Sequence, residues 1–477
     1  MLFNSIPFLA FLPLVVIAYF LVPAKLRWLL LLIASYYFYM SWKAEYVLLI
    51  MASTLIDFYA GIKIESSKKT SKKKLFLYVS LIFNIGLLLV FKYYNFFVES
   101  IDFGLNSLFD IKPEIPYFNF LLPVGISFYT FQTLSYTLDV YKGRIKAEKH
   151  LGIFALYVSF FPQLVAGPIE RSTRLLPQFK EKFNFEHERV VSGLRLIFFG
   201  FFQKLVVADN LAKYVNSVYN NVDLYSGFPL IFATLFFSIQ IYNDFAGYSN
   251  IAIGSARLMG YDLMKNFNQP YLTTNLAEFW RSWHISLYTW FNDYLFNSVV
   301  IKYRKLGVHA TSLGIILTFT LSGLWHGAAW TFVIWGILHG LGLSFLVYSK
   351  KSRKKINKKF NNNLYNFICF IVTFLFVNFT FIFFRSNSLA DAFYIIKKVI
   401  RIDFNNIIGV PVFSKTTFIS FLIFSTITFL YDILINKKIH EKISKHKSMS
   451  YCFFIIVTSM IYVFGTFEEQ SFVYFQF

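Results

Sequence analysis

Three histidines, His284, His326 and His339, lie well inside apolar stretches, whereas His150, His187, His309, His440 and His446 do not. An ionisable side chain at membrane depth is costly and usually faces a protein interior or a wet cavity, which makes it a functional candidate. Imidazole titrates near neutral pH, so it can take a proton from a hydroxyl and later return it. The competing reading is a neutral histidine that bonds a backbone carbonyl of a neighbouring helix. Tryptophan placement favours chemistry. Six of the eight Trp (Trp280, Trp283, Trp290, Trp325, Trp330 and Trp335) share the histidines' stretch, whereas interfacial belts would spread them over every span end. The cluster points to an aromatic-walled cavity, although Trp283 and Trp325 could simply pack between helices. Gly323 and Gly327 flank Leu324-Trp325-His326 and allow close backbone approach, by another helix or by a substrate. His326 falls between two apolar runs, as a helix break lining a cavity would; an ordinary tight helical hairpin is the alternative. Asp244 and Asp293 could orient an imidazole, or the carboxylate could cap a helix or pair with Arg281.

Other chemistries find no support. There is no P-loop, dinucleotide fingerprint or Gly-x-Ser-x-Gly elbow. The two cysteines, Cys369 and Cys452, lie far from the histidines in sequence and cannot make a disulfide framework or a zinc site. No three-His or His/carboxylate spacing suits a metal.

The elements that must position these groups are membrane helices. Of 477 residues, 56% are apolar and 15% charged, with 62 Phe and 31 Tyr; an ordinary soluble domain carries about 25% charged residues. Apolar runs long enough to cross a hydrocarbon core recur near residues 7–22, 28–42, 46–62, 75–97, 120–140, 151–166, 190–208, 228–247, 280–301, 310–325, 328–348, 364–384, 418–434 and 451–464. The expectation is an all-α polytopic membrane protein with 11–14 transmembrane or re-entrant helices. The 151 and 280 runs are the weakest spans, because Pro162 interrupts one and Arg281, His284 and Asp293 the other. Met1–Val22 has no basic start and another run follows it, so no cleavable signal peptide is expected.

The formal charge of +21 would raise the question of nucleic acid in a soluble protein, but here it has another use. Three short loops hold +16 of it: Lys63–Lys74, Lys350–Lys359 and Lys437–Lys447. The positive-inside rule puts all three in the cytoplasm, and the even numbers of runs between them agree. An anionic-lipid or acidic-partner patch is the lesser reading. No nucleic-acid partner is expected.

Five ordered segments carry a family resemblance. Leu122-Pro123-Val124-Gly125-Ile126-Ser127-Phe128-Tyr129 leads to Asp139-Val140-Tyr141-Lys142-Gly143. Phe161-Pro162-Gln163-Leu164-Val165-Ala166-Gly167-Pro168-Ile169 and Asp244-Phe245-Ala246-Gly247-Tyr248-Ser249 follow. Asn266-Phe267-Asn268-Gln269-Pro270-Tyr271 runs on to Glu278-Phe279-Trp280-Arg281-Ser282-Trp283-His284-Ile285-Ser286-Leu287. The last is Ser322-Gly323-Leu324-Trp325-His326-Gly327, with Trp335-Gly336-Ile337-Leu338-His339-Gly340 behind it. With these the chain resembles the membrane-bound O-acyltransferase family, in the branch of alginate and peptidoglycan O-acetyltransferases. Ser282 and Tyr288 depart from the family pattern, which has a second Arg and a small residue there.

The resemblance covers roughly residues 1–345. The apolar runs lead to the expectation of a single membrane domain over 1–477, with C-terminal transmembrane helices over 346–477, and the resemblance marks a motif-bearing core over 1–345. It also implies a ring of tilted helices around a funnel, His326 as the catalytic histidine and His284 as a second important one. Trp325, Trp283, Trp280, Arg281, Asp244 and His339 become candidate cavity or substrate residues. In this branch a cytoplasmic donor, acetyl-CoA, gives up its acetyl group through the membrane protein. A serine-esterase-like (SGNH-type) partner outside then O-acetylates a cell-envelope glycan. The implied location is the bacterial inner (cytoplasmic) membrane, with lipids as the surroundings and no resident cofactor or metal. Alternatives are D-alanyl transfer to teichoic acid from an acylated carrier protein, a lipid-modifying acyltransferase, and, from another class, a transporter or lipid-binding scaffold. Transporters often carry matching halves, and no internal repeat is present.

Overall fold

The computed structural model describes residues 1–111, 115–118, 121–165, 167–400, 415–436, 447–467 and 472–473. Among them there are helices and loops and no strand. That is the form apolar chains take where backbone groups must be satisfied within the segment. Among the described residues, seven helical stretches are long and apolar enough to cross a membrane: Ala44–Ser66, Thr70–Phe109, His187–Tyr219, Phe228–Leu258, Val308–His326, Trp330–Tyr348 and Asn362–Arg385. Ile6–Leu21, Phe418–Tyr431 and Ser448–Phe464 are shorter apolar helices. The expected third lysine loop falls largely on 437–446, outside the described residues.

The described residues group into two compact units, Met1–Gly193 with Ser255–Met264, and Leu194–Gly254 with Lys265–Phe477. Residues on both sides of position 345 belong to the second. The first unit contains α1 (Ile6–Leu21), α2 (Arg27–Met40), α3 (Val47–Ser66), α4 (Thr70–Leu88), α5 (Tyr94–Phe109) and α6 (Ile126–Tyr141). It continues with α7 (Leu151–Ser159), α8 (Phe161–Leu164), α9 (Ser172–Gln178) and the start of α10 (His187–Phe201). The run over 151–166 breaks where Pro162 enters: its ring cannot continue α7 and instead occupies the first turn of the four-residue α8.

A buried polar cluster ties three of these helices. The Asp57 carboxylate on α3 accepts from Ser80 Oγ and Asn84 Nδ2 (2.8 Å) on α4 and from Thr137 Oγ1 (2.7 Å) on α6. Polar groups away from water must be bonded, and here they bond across helices. The first unit also holds the Gly125 motif. Gly125 has φ +76 and its Cα lies against Leu164, whose carbonyl oxygen would be 2.7 Å from a Cβ. Only glycine fits that turn.

The second unit starts within α10. After a π-helical stretch at Phe202–Ala208 come α11 (Asp209–Tyr219), α12 (Phe228–Leu258), α13 (Leu276–Ser282), α14 (Ile285–Phe291) and α15 (Asn297–Lys302). Then follow α16 (Val308–His326), α17 (Trp330–Tyr348), α18 (Lys350–Asn357), α19 (Asn362–Arg385), α20 (Leu389–Ile400), α21 (Lys415–Asn436) and α22 (Lys447–Phe464). The run expected over 280–301 is not one span. It divides at Trp283–His284, where His284 takes a left-handed backbone with φ 44 and φ/ψ no longer helical.

α16 and α17 form an antiparallel hairpin joined by Gly327–Ala329, and small residues let the backbones touch. A Cβ on Gly323 would lie 2.2 Å from the Phe332 carbonyl oxygen, and one on Gly336 2.2 Å from that of Phe319. The close approach foreseen at Gly323 and Gly327 is therefore made by the neighbouring helix. The break after His326 is a tight helical hairpin.

Candidate functional site

His326 is the last residue of α16 and is buried. The Gly323–Gly336 crossing fixes its height against α17. Its ring is 5.1 Å from Trp335, 5.0 Å from Trp325 and 5.4 Å from Phe384 of α19, centroid to centroid, all in edge-to-face contacts. His284 lies 6.3 Å away, ring centroid to centroid, and is fully buried. Its ring meets Phe245 of α12 edge-on at 4.6 Å and Trp325 at 6.1 Å. Two imidazoles far apart in sequence thus share one aromatic enclosure.

The loop before α13 holds His284 in place. Asn266 O accepts from the Ile285 N–H (2.9 Å), and the Asn268 N–H donates to Ser282 O (2.9 Å). These two bonds pin the 266–268 segment against 282–285. The Asn266 side chain then serves the imidazole. Its Oδ1 faces His284 Nδ1 at 3.2 Å and accepts from Ser286 Oγ at 2.9 Å, while its Nδ2 donates to Ser249 Oγ at 3.2 Å. With the amide oriented by Ser249, Nδ1 of His284 carries the proton and Nε2 is the basic nitrogen. His284 lies outside the seven spans, and burial lowers its pKa to about 3, so the ring is neutral at physiological pH. A non-glycine residue held in left-handed backbone is a form of local strain typical of working sites.

His339 is bonded on both ring nitrogens. Trp280 Nε1 donates to its Nδ1 (3.2 Å), so Nε2 carries the hydrogen facing Thr380 Oγ1 at 2.9 Å. Trp280 packs here, against His339, Phe319 and Trp335. Trp335 links the two groups, touching His339 at 4.9 Å and His326 at 5.1 Å. Trp283 stacks on Phe279 and packs with Phe267, Tyr242, Tyr271 and Phe381. Its ring thus braces the Asn266 loop. Trp325 lines the His284–His326 pair. Arg281 is exposed.

Asp244 requires a correction. It neither pairs with Arg281 nor meets an imidazole; its Oδ1 is 2.7 Å from the ammonium of Lys204, and its Oδ2 accepts from the Val473 N–H at 2.7 Å. Lys204 also pairs with Asp209 at 2.8 Å, and all three side chains are buried. The reason is electrostatic: a buried lysine must be compensated where it lies. Its π-helical turn brings it to α12, where Gly200 and Gly247 leave room (a Cβ on Gly247 would meet Gly200 O at 2.8 Å). Phe472 covers the same region, 4.4 Å from Tyr248 and 5.6 Å from Phe245. Asp293 lies in a further π-helical turn after α14, where its Oδ1 accepts from Asn292 Nδ2.

Sequence reasoning missed Asn266, Ser286, Lys204, Asp209 and Phe472. A signal existed for Lys204, a lysine inside the apolar run over 190–208. Asn266 stood within a quoted motif without being assigned a role. Among the described residues no group of three His, Cys, Asp or Glu side chains could hold a metal.

A sequence profile of MBOAT, the membrane-bound O-acyltransferase family, matches residues 150–386, which include every group of the His284–His326 enclosure named above. The chain is 39% identical over 333 residues to a probable alginate O-acetylase of Azotobacter vinelandii, covering 69% of this chain and 66% of that one. It is 32% identical over 445 residues to a peptidoglycan O-acetyltransferase of Helicobacter pylori, covering 84% of this chain and 80% of that one. A teichoic acid D-alanyltransferase of Bacillus subtilis is 28% identical over 57% of this chain and 70% of its own length. The match thus spans just under two thirds of the Azotobacter protein and most of the Helicobacter one.

Proposed function

Since the chain belongs to the membrane-bound O-acyltransferase family, we propose that it moves acetyl groups from cytoplasmic acetyl-CoA towards hydroxyls of an extracytoplasmic cell-envelope polysaccharide or peptidoglycan. The observation that carries this reading is the His284–His326 pair, 6.3 Å apart within one aromatic enclosure. In the proposed reaction His326 takes the proton of the acceptor hydroxyl as its oxygen attacks the acetyl carbonyl. The C–O bond forms, the thioester C–S bond breaks, and the proton passes to the departing thiolate. His284, neutral and with Nε2 basic, relays that proton or hydrogen bonds the donor. The ring wall of Trp325, Trp335, Phe245 and Phe384 keeps water from the thioester.

The acceptor hydroxyl belongs to the glycan or to the serine of an SGNH-type extracytoplasmic partner, and the protein sits in the bacterial inner membrane. The envelope polymers in the relatives' names support an envelope acceptor. The test is acetyl transfer from labelled acetyl-CoA in proteoliposomes containing the purified protein. Label reaching a hydroxyl acceptor supports the reading. Transfer from a phosphopantetheine carrier protein alone would favour D-alanyl transfer, the activity in the Bacillus relative's name. No transfer from either donor would favour a transporter or scaffold.

A further inference from the structure

Away from the histidines, the second unit carries a groove of about 520 Å³ between α10 and α22, lined by Leu194, Phe198, Phe454, Ile455, Thr458 and Ser459. The lining positions repeat at one helical turn on each side: 194 and 198 on α10, and 454, 455, 458 and 459 on α22. Such spacing lays two stripes side by side along the helix axes. Phe198 and Phe454 meet edge to face at 5.3 Å and make the floor.

One end of the groove is cationic. Arg195, next to Leu194, reaches across to α22, where its Nε and Nη2 donate to Ser450 Oγ at 3.2 and 2.8 Å. Ser450 stands one turn before Phe454, in line with the groove. Both bonds go to a single neutral oxygen, and among the described residues no carboxylate pairs with this guanidinium. A half-buried guanidinium with only a hydroxyl acceptor leaves donors and a full charge for an anion. The positive-inside reading puts this end in the cytoplasmic leaflet, where anionic headgroups concentrate.

We propose that the groove is a binding site for an anionic phospholipid, with an acyl chain along the α10–α22 stripe and its phosphate on Arg195. The apolar walls match the chain, and the fixed cation at one end matches the headgroup. Basic pockets between membrane helices bind acidic headgroups by the same logic.

The test is native mass spectrometry of the full chain, purified and exposed to phosphatidylglycerol or phosphatidylcholine with identical acyl chains. Wild type is expected to retain phosphatidylglycerol roughly fivefold better. R195Q should bind the two lipids equally, and R195K should keep the preference. Ser459→Phe, which fills the groove, should lower retention of both lipids. Soluble glycerol phosphate should not compete. Equal retention on wild type, an undiminished preference in R195Q, or full competition by glycerol phosphate would overturn the assignment.

Discussion

Replacing Gly323 by alanine perturbs the site through a single methyl group. The added Cβ would sit 2.2 Å from the Phe332 carbonyl oxygen, where ordinary contact begins at 3.4 Å, and the obstacle is backbone on both sides. α16 and α17 must therefore part by about 1.2 Å at this crossing. Overpacking of this kind costs about 1–3 kcal/mol. His326 lies three residues further along the same helix, so it moves with the displaced turn. A misplacement of about 1 Å in a reacting group costs about 10²-fold in rate. The expected outcome is a modest fall in thermal stability in detergent and a loss of about two orders of magnitude in acetyl transfer in proteoliposomes. Gly86→Ala is the control: it too is a helical glycine, but nothing lies within 4 Å of its Cβ, so stability and transfer should not fall. If Gly323→Ala transfers within twofold of wild type, the crossing does not set the position of His326 and the reasoning fails.

Four further outcomes follow from the same geometry. Lys204→Met leaves Asp209 and Asp244 buried without their cation and should cost about 3–5 kcal/mol, measured by thermal unfolding; a loss below about 1 kcal/mol would contradict the pairing. His284→Asn keeps a residue type that tolerates left-handed backbone, so unfolding should change little while turnover collapses; unchanged turnover would remove His284 from the chemistry. Thr380→Val deprives His339 of its Nε2 partner and should cost about 1–3 kcal/mol with transfer by the folded fraction retained, whereas lost transfer at full stability would give His339 a catalytic role. Glu170, buried in the loop before α9, is raised by burial from 4.5 to about 7. Its folded state therefore holds a proton that the unfolded state releases between those values, and stability should fall as pH rises through that window, by on the order of 3 kcal/mol. Denaturation of wild type and Glu170→Gln across pH 4–8 checks this, since the variant should lose that part of the slope.

The helical architecture was legible because apolar run length and helix length are nearly the same quantity at membrane depth. The two expected interruptions were legible for local reasons, Pro162 in one run and the Arg281–His284 polar group in the other. The His284–His326 pairing was reachable from residue type and tryptophan density. The partners were not. Asp244 finds Lys204 forty positions away through a π-helical turn, and pattern alone cannot give such a distance. His339 looked like its neighbours in sequence, yet bonds to Trp280 and Thr380 satisfy both its nitrogens. Whether Gly323 opened space for a substrate or a helix depended on what faced it, and Phe332 and Gly336 do.

The most direct test of His326 as the base is mass spectrometry of envelope glycans from cells carrying wild type or His326→Ala, with membrane accumulation of both proteins measured in parallel. The account predicts that acetyl esters disappear from the glycan while the variant accumulates normally. Normal acetylation in cells that contain only the variant would contradict it.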